Sequence, residues 1–367
     1  MDAADSRPNL LSPVARSWRA GIRFLGLVLL SVLFMSCEAI SYYSQAARGQ
    51  LKILTERQEI KALLAKHDLS QALRDKFELI LQIREFALSE LELPVGDNYL
   101  TYADVEREHV VWNVFAAPEL STEAVSWCYP IAGCLSYRGY FSESEALAYA
   151  RQLESEGLDV YTGGVDAYST LGWFDDPVLN TFIARSDERL AALLFHELAH
   201  RVVFVKGDTQ FNESFATTVE RTLLRQWLTE RGQPSVFDAY LEDEAKWQQT
   251  IALITKARSA LAEIYASDEK ASVRRTSKHE RLQQLQDEYA ELEQTWGVQG
   301  PYAGWMAQPI NNAQLGTVAI YHELVPQFEA LLATSGNLRA FLGEVKVLAK
   351  QSNEVREQRL MAEAESL

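Results

Sequence analysis

From residue 41 onward, apolar positions recur every three or four residues through "SYYSQAARGQLKILTERQEIKALLAKHDLSQALRDKFELILQIREFALSELEL". That is the period of amphipathic helices, with a break predicted near Asp68. The pattern then changes. "HVVWNVFAAP" and "CLSYRGYF" are rich in β-branched and aromatic residues and predict strands on either side of a loop, "WCYPIAGC". "SESEALAYARQLESEG" predicts a helix with an acidic first turn and Gly157 beyond its end, and "LDVYTGGVDAYSTLG" returns to strand and turn. A pair of helices follows. The first takes Ser186 as N-cap, Asp187 and Glu188 in its first turn and Gly207 to close it. The second, "NESFATTVERTLLRQWLTERG", takes Asn212 as cap and Gly232 as stop. Residues 240–296 are long, polar and helical, and predict two antiparallel arms of a solvated hairpin. The helical period returns from about Asn311. The expected fold is α+β and predominantly helical: a helix pair beside a small mixed or antiparallel sheet, plus the long helical hairpin.

The first residues read differently. Arg16, Arg19 and Arg23 precede an uncharged 13-residue run, 24–36, "FLGLVLLSVLFMS". A spanning helix needs about 20 apolar residues, so the run fits the core of an export signal better than a membrane span or an uncleaved anchor. It ends at "LFMSC", which resembles the bacterial lipobox, whose cysteine, here Cys37, is lipidated. The expectation is a lipoprotein signal over 1–36 and one domain over 37–367. Acyl chains on Cys37 tether that domain to a bacterial membrane, facing the periplasm. Glu38 stands where Asp favours inner-membrane retention, which points to the outer membrane.

Composition narrows the partners. The 367 residues are 47% apolar and 23% charged, which is globular material, and the formal charge is −16. Removing residues 1–36, with four arginines and two aspartates, makes the balance two units more negative. Such a surface disfavours nucleic acid and anionic lipid headgroups as partners. Apart from Cys37 there are two cysteines, Cys128 and Cys134, separated by a spacer that contains Pro130 and Gly133. In an exported chain that spacing predicts a local disulfide.

The chemistry concentrates in "LLFHELAHRVVF", 193–204. On a helix, residues four apart share a face, so His196 and His200 point their imidazoles at one place with Glu197 beside them. This is the HExxH arrangement: two nitrogen ligands for zinc and a glutamate general base. As satisfied core residues, the three would need three separate polar partners, whereas a metal ion serves all of them. A catalytic zinc takes a third protein ligand and keeps an open position. Val203 and Lys206 stand where a metzincin needs Gly and His, which excludes that version. "NESFA", 212–216, begins twelve residues after His200 on the next helix. It offers Glu213, and Glu220 lies two turns further on the same face. Helix geometry alone does not separate the two. An oxyanion-stabilising donor is also needed, and the candidates are Tyr321, Tyr168, Tyr302, His322 and Arg138, among which the sequence does not choose.

HELAH with NESFA resembles the HExxH and NExxA segments of the gluzincin peptidases. The wider chain resembles the predicted bacterial aminopeptidase family of exported lipoproteins. "YYSQAARGQ", "WNVFAAP", "WCYPIAGCLSYRGYF", "DAYSTLGWFDDP" and "NNAQLGTVAIYHELVPQFEALL" carry that resemblance. It implies a zincin-like pair of metal helices, one Zn2+ per chain, Glu213 as third ligand and Glu220 behind a ligand histidine. It also implies a peptide substrate cleaved by zinc-activated water with Glu197 as base. "DAYSTLGWFDDP" falls where gluzincins place a substrate-binding edge strand, which makes Ala167, Tyr168 and Ser169 candidate peptide contacts, a core strand being the other reading. An aminopeptidase further needs a carboxylate for the free amine. Asp166, Asp175 and Asp176 are available, and the sequence singles out none of them. Two other functions fit the same chain: a zinc endopeptidase of similar build, and a non-catalytic lipid-anchored scaffold that uses its helical arms.

Overall fold

The structure, a computed structural model, describes residues 41–91, 96–129, 133–167, 175–318 and 324–364. The chain divides into two units, 1–52 and 53–367. Cys37 and the rest of 1–40 lie outside the described residues. In the first unit the described residues, 41–52, are helical, and this helix, α1, is assigned over 41–56. Among the described residues no helix is long and apolar enough to cross a membrane.

In the second unit a short strand β1 (Gln58–Glu59) leads into α2 (Ile60–Leu64) and α3 (Gln71–Leu91), with the interruption at 65–70 around Asp68. Strands β2 (Thr101–Ala103), β3 (Val111–Pro118), β4 (Trp127–Tyr129), β5 (Gly133–Leu135) and β6 (Arg138–Tyr140) follow. After them come α4 (Glu143–Ser155), β7 (Leu158–Val165), β8 (Val178–Leu179) and α5 (Asn180–Ile183). Three small sheets result. One is mixed, in the order β1-β2-β8, with β2 and β8 parallel. The second is antiparallel, in the order β6-β3-β7, so β7 is one of its edge strands. The third is the β4-β5 hairpin, in which Cys128 and Cys134 are directly opposed and joined by a disulfide. α4 starts at Ser142, whose hydroxyl accepts from Glu145 N–H, and ends before Gly157 at φ +85°.

The helical part begins with α6 (Asp187–Val202) and α7 (Thr209–Glu230), which pack along each other, then α8 (Pro234–Ala266) and α9 (Ala271–Trp296). α10 (Ala303–Met306) and α11 (Asn312–Leu315) are single turns, and α12 (Val325–Ser335), α13 (Leu338–Leu348) and α14 (Asn353–Ala364) complete the described chain. The main core lies among α3, α6, α7, α12 and α13, where Phe195, Phe211, Phe215, Phe328 and Phe341 are all fully buried. Rings meet across helices, Phe211 against Phe328 at 5.1 Å and Phe215 against Phe341 at 6.1 Å. Such aromatic pairs add to the burial of apolar area, which is the dominant favourable term.

Three expectations need correction here. The 240–296 region forms the expected helical hairpin, α8 and α9, but it is not simply solvated. Ile254, Ala257 and Leu261 on α8 face Leu282, Leu285 and Tyr289 on α9, and with Met306 and Leu315 they close a second core. Lys278 on α9 ties this core to the antiparallel sheet through Asp159, at 2.6 Å, and the Glu119 carbonyl, at 2.9 Å. The cap of α7 also differs: the helix starts at Thr209 and Asp208 is its N-cap, with a side chain that accepts from Phe211 N–H at 3.1 Å. Asn212 lies inside the first turn and does other work. Gly207, at φ +83°, closes the α6–α7 turn, since α6 itself has ended at Val202.

Candidate metal centre

α6 buries Leu190, Ala191, Leu194, Phe195, Leu198 and Ala199 against the main core, and this burial fixes its rotation. His196 and His200 are therefore turned together toward α7, one helical turn apart, with ring centroids 4.9 Å apart. The turn between the helices is held by Asn212. Its amide oxygen accepts from Val205 N–H and its amide nitrogen donates to the Val205 carbonyl, both at 2.8 Å. This two-way clamp, 2% exposed, sets the residue that follows it, Glu213.

Glu213 faces both imidazoles. Its Oε2 is 3.2 Å from His196 Nε2 and its Oε1 is 3.6 Å from His200 Nε2. One donor atom from each of the three residues lies within 4.8 Å of the others, and the group could hold a metal ion. Around a tetrahedral ion with bonds of about 2.0–2.2 Å, ligand atoms stand roughly 3.3 Å apart. The 3.2 and 3.6 Å separations, one to each carboxylate oxygen, fall on either side of that spacing, so the donor set is compatible with an ion. The other seven-residue neighbour, Glu220, lies on the far side of His196, with Oε2 3.0 Å from Nδ1. Glu213 and Glu220 thus divide the two nitrogens of His196 between them. Tyr240 on α8 donates its hydroxyl to Glu220, and the Arg189 guanidinium lies 4.7 Å over the Tyr240 ring.

The electrostatics suit a cation. Burial pushes His196 down, but its hydrogen bonds to Glu213 and Glu220 outweigh that and hold it at about 10. The site therefore draws positive charge onto the imidazole that stands between two carboxylates. His200 is pushed down to about 4 by burial and by the neighbouring charge of His196, so it offers a neutral ring. Its Nδ1 is buried with no hydrogen-bond partner among the described residues. Glu197 is pushed up to about 7 by burial and by the carboxylates of Glu213, Asp176 and Glu220, against the opposing charge of His196. A carboxyl poised near neutrality beside a candidate metal group suits proton transfer.

Glu197 opens into a small recess lined also by Tyr99, Ala167, Asp176, Pro177, Phe182 and Leu193. Of the three proposed peptide contacts, Ala167 lies on this recess, while Tyr168 and Ser169 fall outside the described residues. Ala167 follows the end of β7 at Val165 and is not part of that edge strand. Tyr321 and His322 also lie outside the described residues. Arg138 and Tyr302 have other neighbours. The Arg138 guanidinium lies over the rings of Tyr140 and Tyr149, and Tyr302 packs with Trp247 and Trp305. Sequence reasoning missed Tyr240 and Tyr99. Tyr240 sits in a stretch whose pattern reads as a surface arm, and Tyr99 is nearly a hundred residues from the histidines, so no local signal marks either.

No curated protein and no solved structure matches the chain. The model of the family described as "Putative aminopeptidase" matches residues 41–360, a span that includes both metal-site helices and the recess. With nearly all of its length covered by that match, the chain belongs to this aminopeptidase family.

Proposed function

We propose that the protein is a zinc-dependent aminopeptidase of the bacterial cell envelope, tethered by lipid on Cys37 and acting on peptides in the periplasm. Family membership supports a peptidase. The observation that carries the finer reading is the His196, His200 and Glu213 group with Glu197 beside it. Two imidazoles and one carboxylate are the nitrogen–oxygen set that catalytic zinc takes, whereas magnesium and calcium favour oxygen alone. When bound, zinc supplies Lewis acidity, polarising the scissile carbonyl and making the attacking water acidic near neutral pH. Glu197 accepts the proton from that water and returns it to the leaving amine. Glu220 fixes the ring orientation of His196 through Nδ1, and Tyr240 fixes Glu220 in turn.

Elemental analysis of the purified full chain tests this. The wild type should carry one zinc. Glu213→Ala should lose most of it, and Glu220→Ala should keep the site but bind about 10- to 100-fold more weakly. A wild type without zinc, or a Glu213→Ala variant of undiminished affinity, would overturn the assignment. For the tether, Cys37→Ser should move the protein from the membrane fraction of a producing bacterium to the soluble periplasmic fraction. Two acyl chains are what make such anchoring stable, so unchanged membrane association would rule out lipid on Cys37.

A further inference from the structure

A second cavity, of about 490 Å³, lies between α6, α8 and the turn that follows α9. Pockets that take small molecules span roughly 300–1,000 Å³. Its lining shares no residue with the His196, His200 and Glu213 group or with the recess beside Glu197. Its walls are built in. On α8, Asp243 and Glu244 lie one turn after Tyr240 and grip Arg189 of α6 at 3.3 and 2.8 Å, while the guanidinium lies over the Tyr240 ring. Another wall, 298–301, follows Gly297 at φ +68° and is pinned to α9. There Gly300 N–H donates to Glu293 at 2.7 Å, and a Cβ on Gly300 would stand 2.2 Å from the Tyr289 hydroxyl, so the close approach requires glycine.

The lining has a charged part and an apolar part. Arg189 and Lys246 are cationic, Asp243 and Glu244 anionic, so their formal charges cancel. Trp247, Val298 and Pro301 supply apolar surface, and the Trp247 ring packs 6.4 Å from that of Tyr302. An ion of one sign would gain from one pair and be repelled by the other. A small molecule that carries both charges and an apolar body meets each part with its complement. The ion pairs already present do not close the site. The Asp243 side chain is 55% exposed, and pairs that face water are worth only about 0–1 kcal/mol, so a ligand's own charges can replace them at little cost. The Arg189 guanidinium also has more N–H donors than the two that Asp243 and Glu244 engage.

We propose that this cavity binds a free α-amino acid with an apolar side chain. The carboxylate goes to Arg189 and Lys246, the ammonium to Asp243 and Glu244, and the side chain lies against Trp247. In an α-amino acid a single carbon separates the two charged groups. The four charged residues are likewise in direct contact with one another, Lys246 reaching Asp243 at 3.1 Å, so the site suits a compact zwitterion and not a molecule with distant charges. Amino acids of this class are what the proposed peptidase releases, but binding at this cavity does not depend on that reading.

Calorimetric titration of the full chain with leucine, after a chelator has removed metal, tests this. Leucine should bind. Leucinamide, which lacks the carboxylate, N-acetylleucine, which lacks the ammonium, and glycine, which lacks the side chain, should each bind about 10-fold more weakly or worse, as fits the loss of one charged hydrogen bond or of buried apolar area. Trp247→Ala and Lys246→Gln should each weaken leucine by about 10-fold, and Glu213→Ala should leave its affinity unchanged. Lys246 is partly exposed, so its variant keeps the test decisive even if Trp247→Ala fails to fold. No binding of leucine at millimolar concentration, equal affinity for leucine and N-acetylleucine, or full leucine affinity in Lys246→Gln overturns the proposal. So does loss of binding in Glu213→Ala, which would put the ligand at the metal group. Each of these failures leaves the zinc and peptidase readings standing, because they are tested by metal content and hydrolysis.

Discussion

Glutamine in place of Glu197 is expected to leave the protein folded and zinc-loaded while peptide hydrolysis falls by about 10²–10⁴-fold, the range a positioned general base contributes. The side chains have the same shape, and the rotation of α6 is fixed by Leu194, Phe195, Leu198 and Ala199, so the histidines stay in place. What glutamine lacks is a group that can take and return a proton. Glu197 is suited to both, because burial and the neighbouring carboxylates hold it at about 7. Steady-state kinetics and zinc stoichiometry measured on the same preparation check the result. Undiminished turnover would remove Glu197 from the chemistry, and loss of zinc together with activity would make it a structural residue instead. A scaffold protein would be indifferent to the change.

Alanine in place of Asn212 is expected to be the more damaging change for the fold. It removes both bonds to Val205 and leaves the Val205 N–H without its partner, while the Val205 carbonyl still accepts from Asp208 N–H at 3.2 Å. A buried donor left unsatisfied costs about 1–3 kcal/mol, and the low end applies to this part-buried turn. The cost should appear as a lower midpoint in urea unfolding with an unchanged slope. Because Glu213 is the next residue, zinc affinity should fall as well, although Asn212 offers the ion nothing itself. If the variant unfolds at the wild-type midpoint with full zinc content, the clamp does not hold the site.

The metal helices were the most legible part of the chain because their signals are local. The apolar stripe, the acidic first turn and two histidines at a spacing of four all concern one helix, and the structure has α6 where they place it. Asp208 and Asn212 both have side chains suited to capping α7, and local sequence does not separate them. Asp208 prevails with the help of Arg356, which reaches it from α14 at 3.0 Å, a contact between residues far apart in sequence. The α8–α9 pair looked solvated because charged residues dilute its apolar positions. Its second core forms only when Met306 and Leu315 are folded onto it.

The atoms that could hold an ion all come from one short continuous stretch, 196–213, whereas the walls of the recess are gathered from residue 99 to residue 197. Leu193 and Glu197 come from α6, while Tyr99, Ala167, Asp176, Pro177 and Phe182 lie outside the helix pair. The segments carrying Tyr99 and Ala167 can therefore vary and reshape the recess while the α6–α7 pair keeps its own sequence.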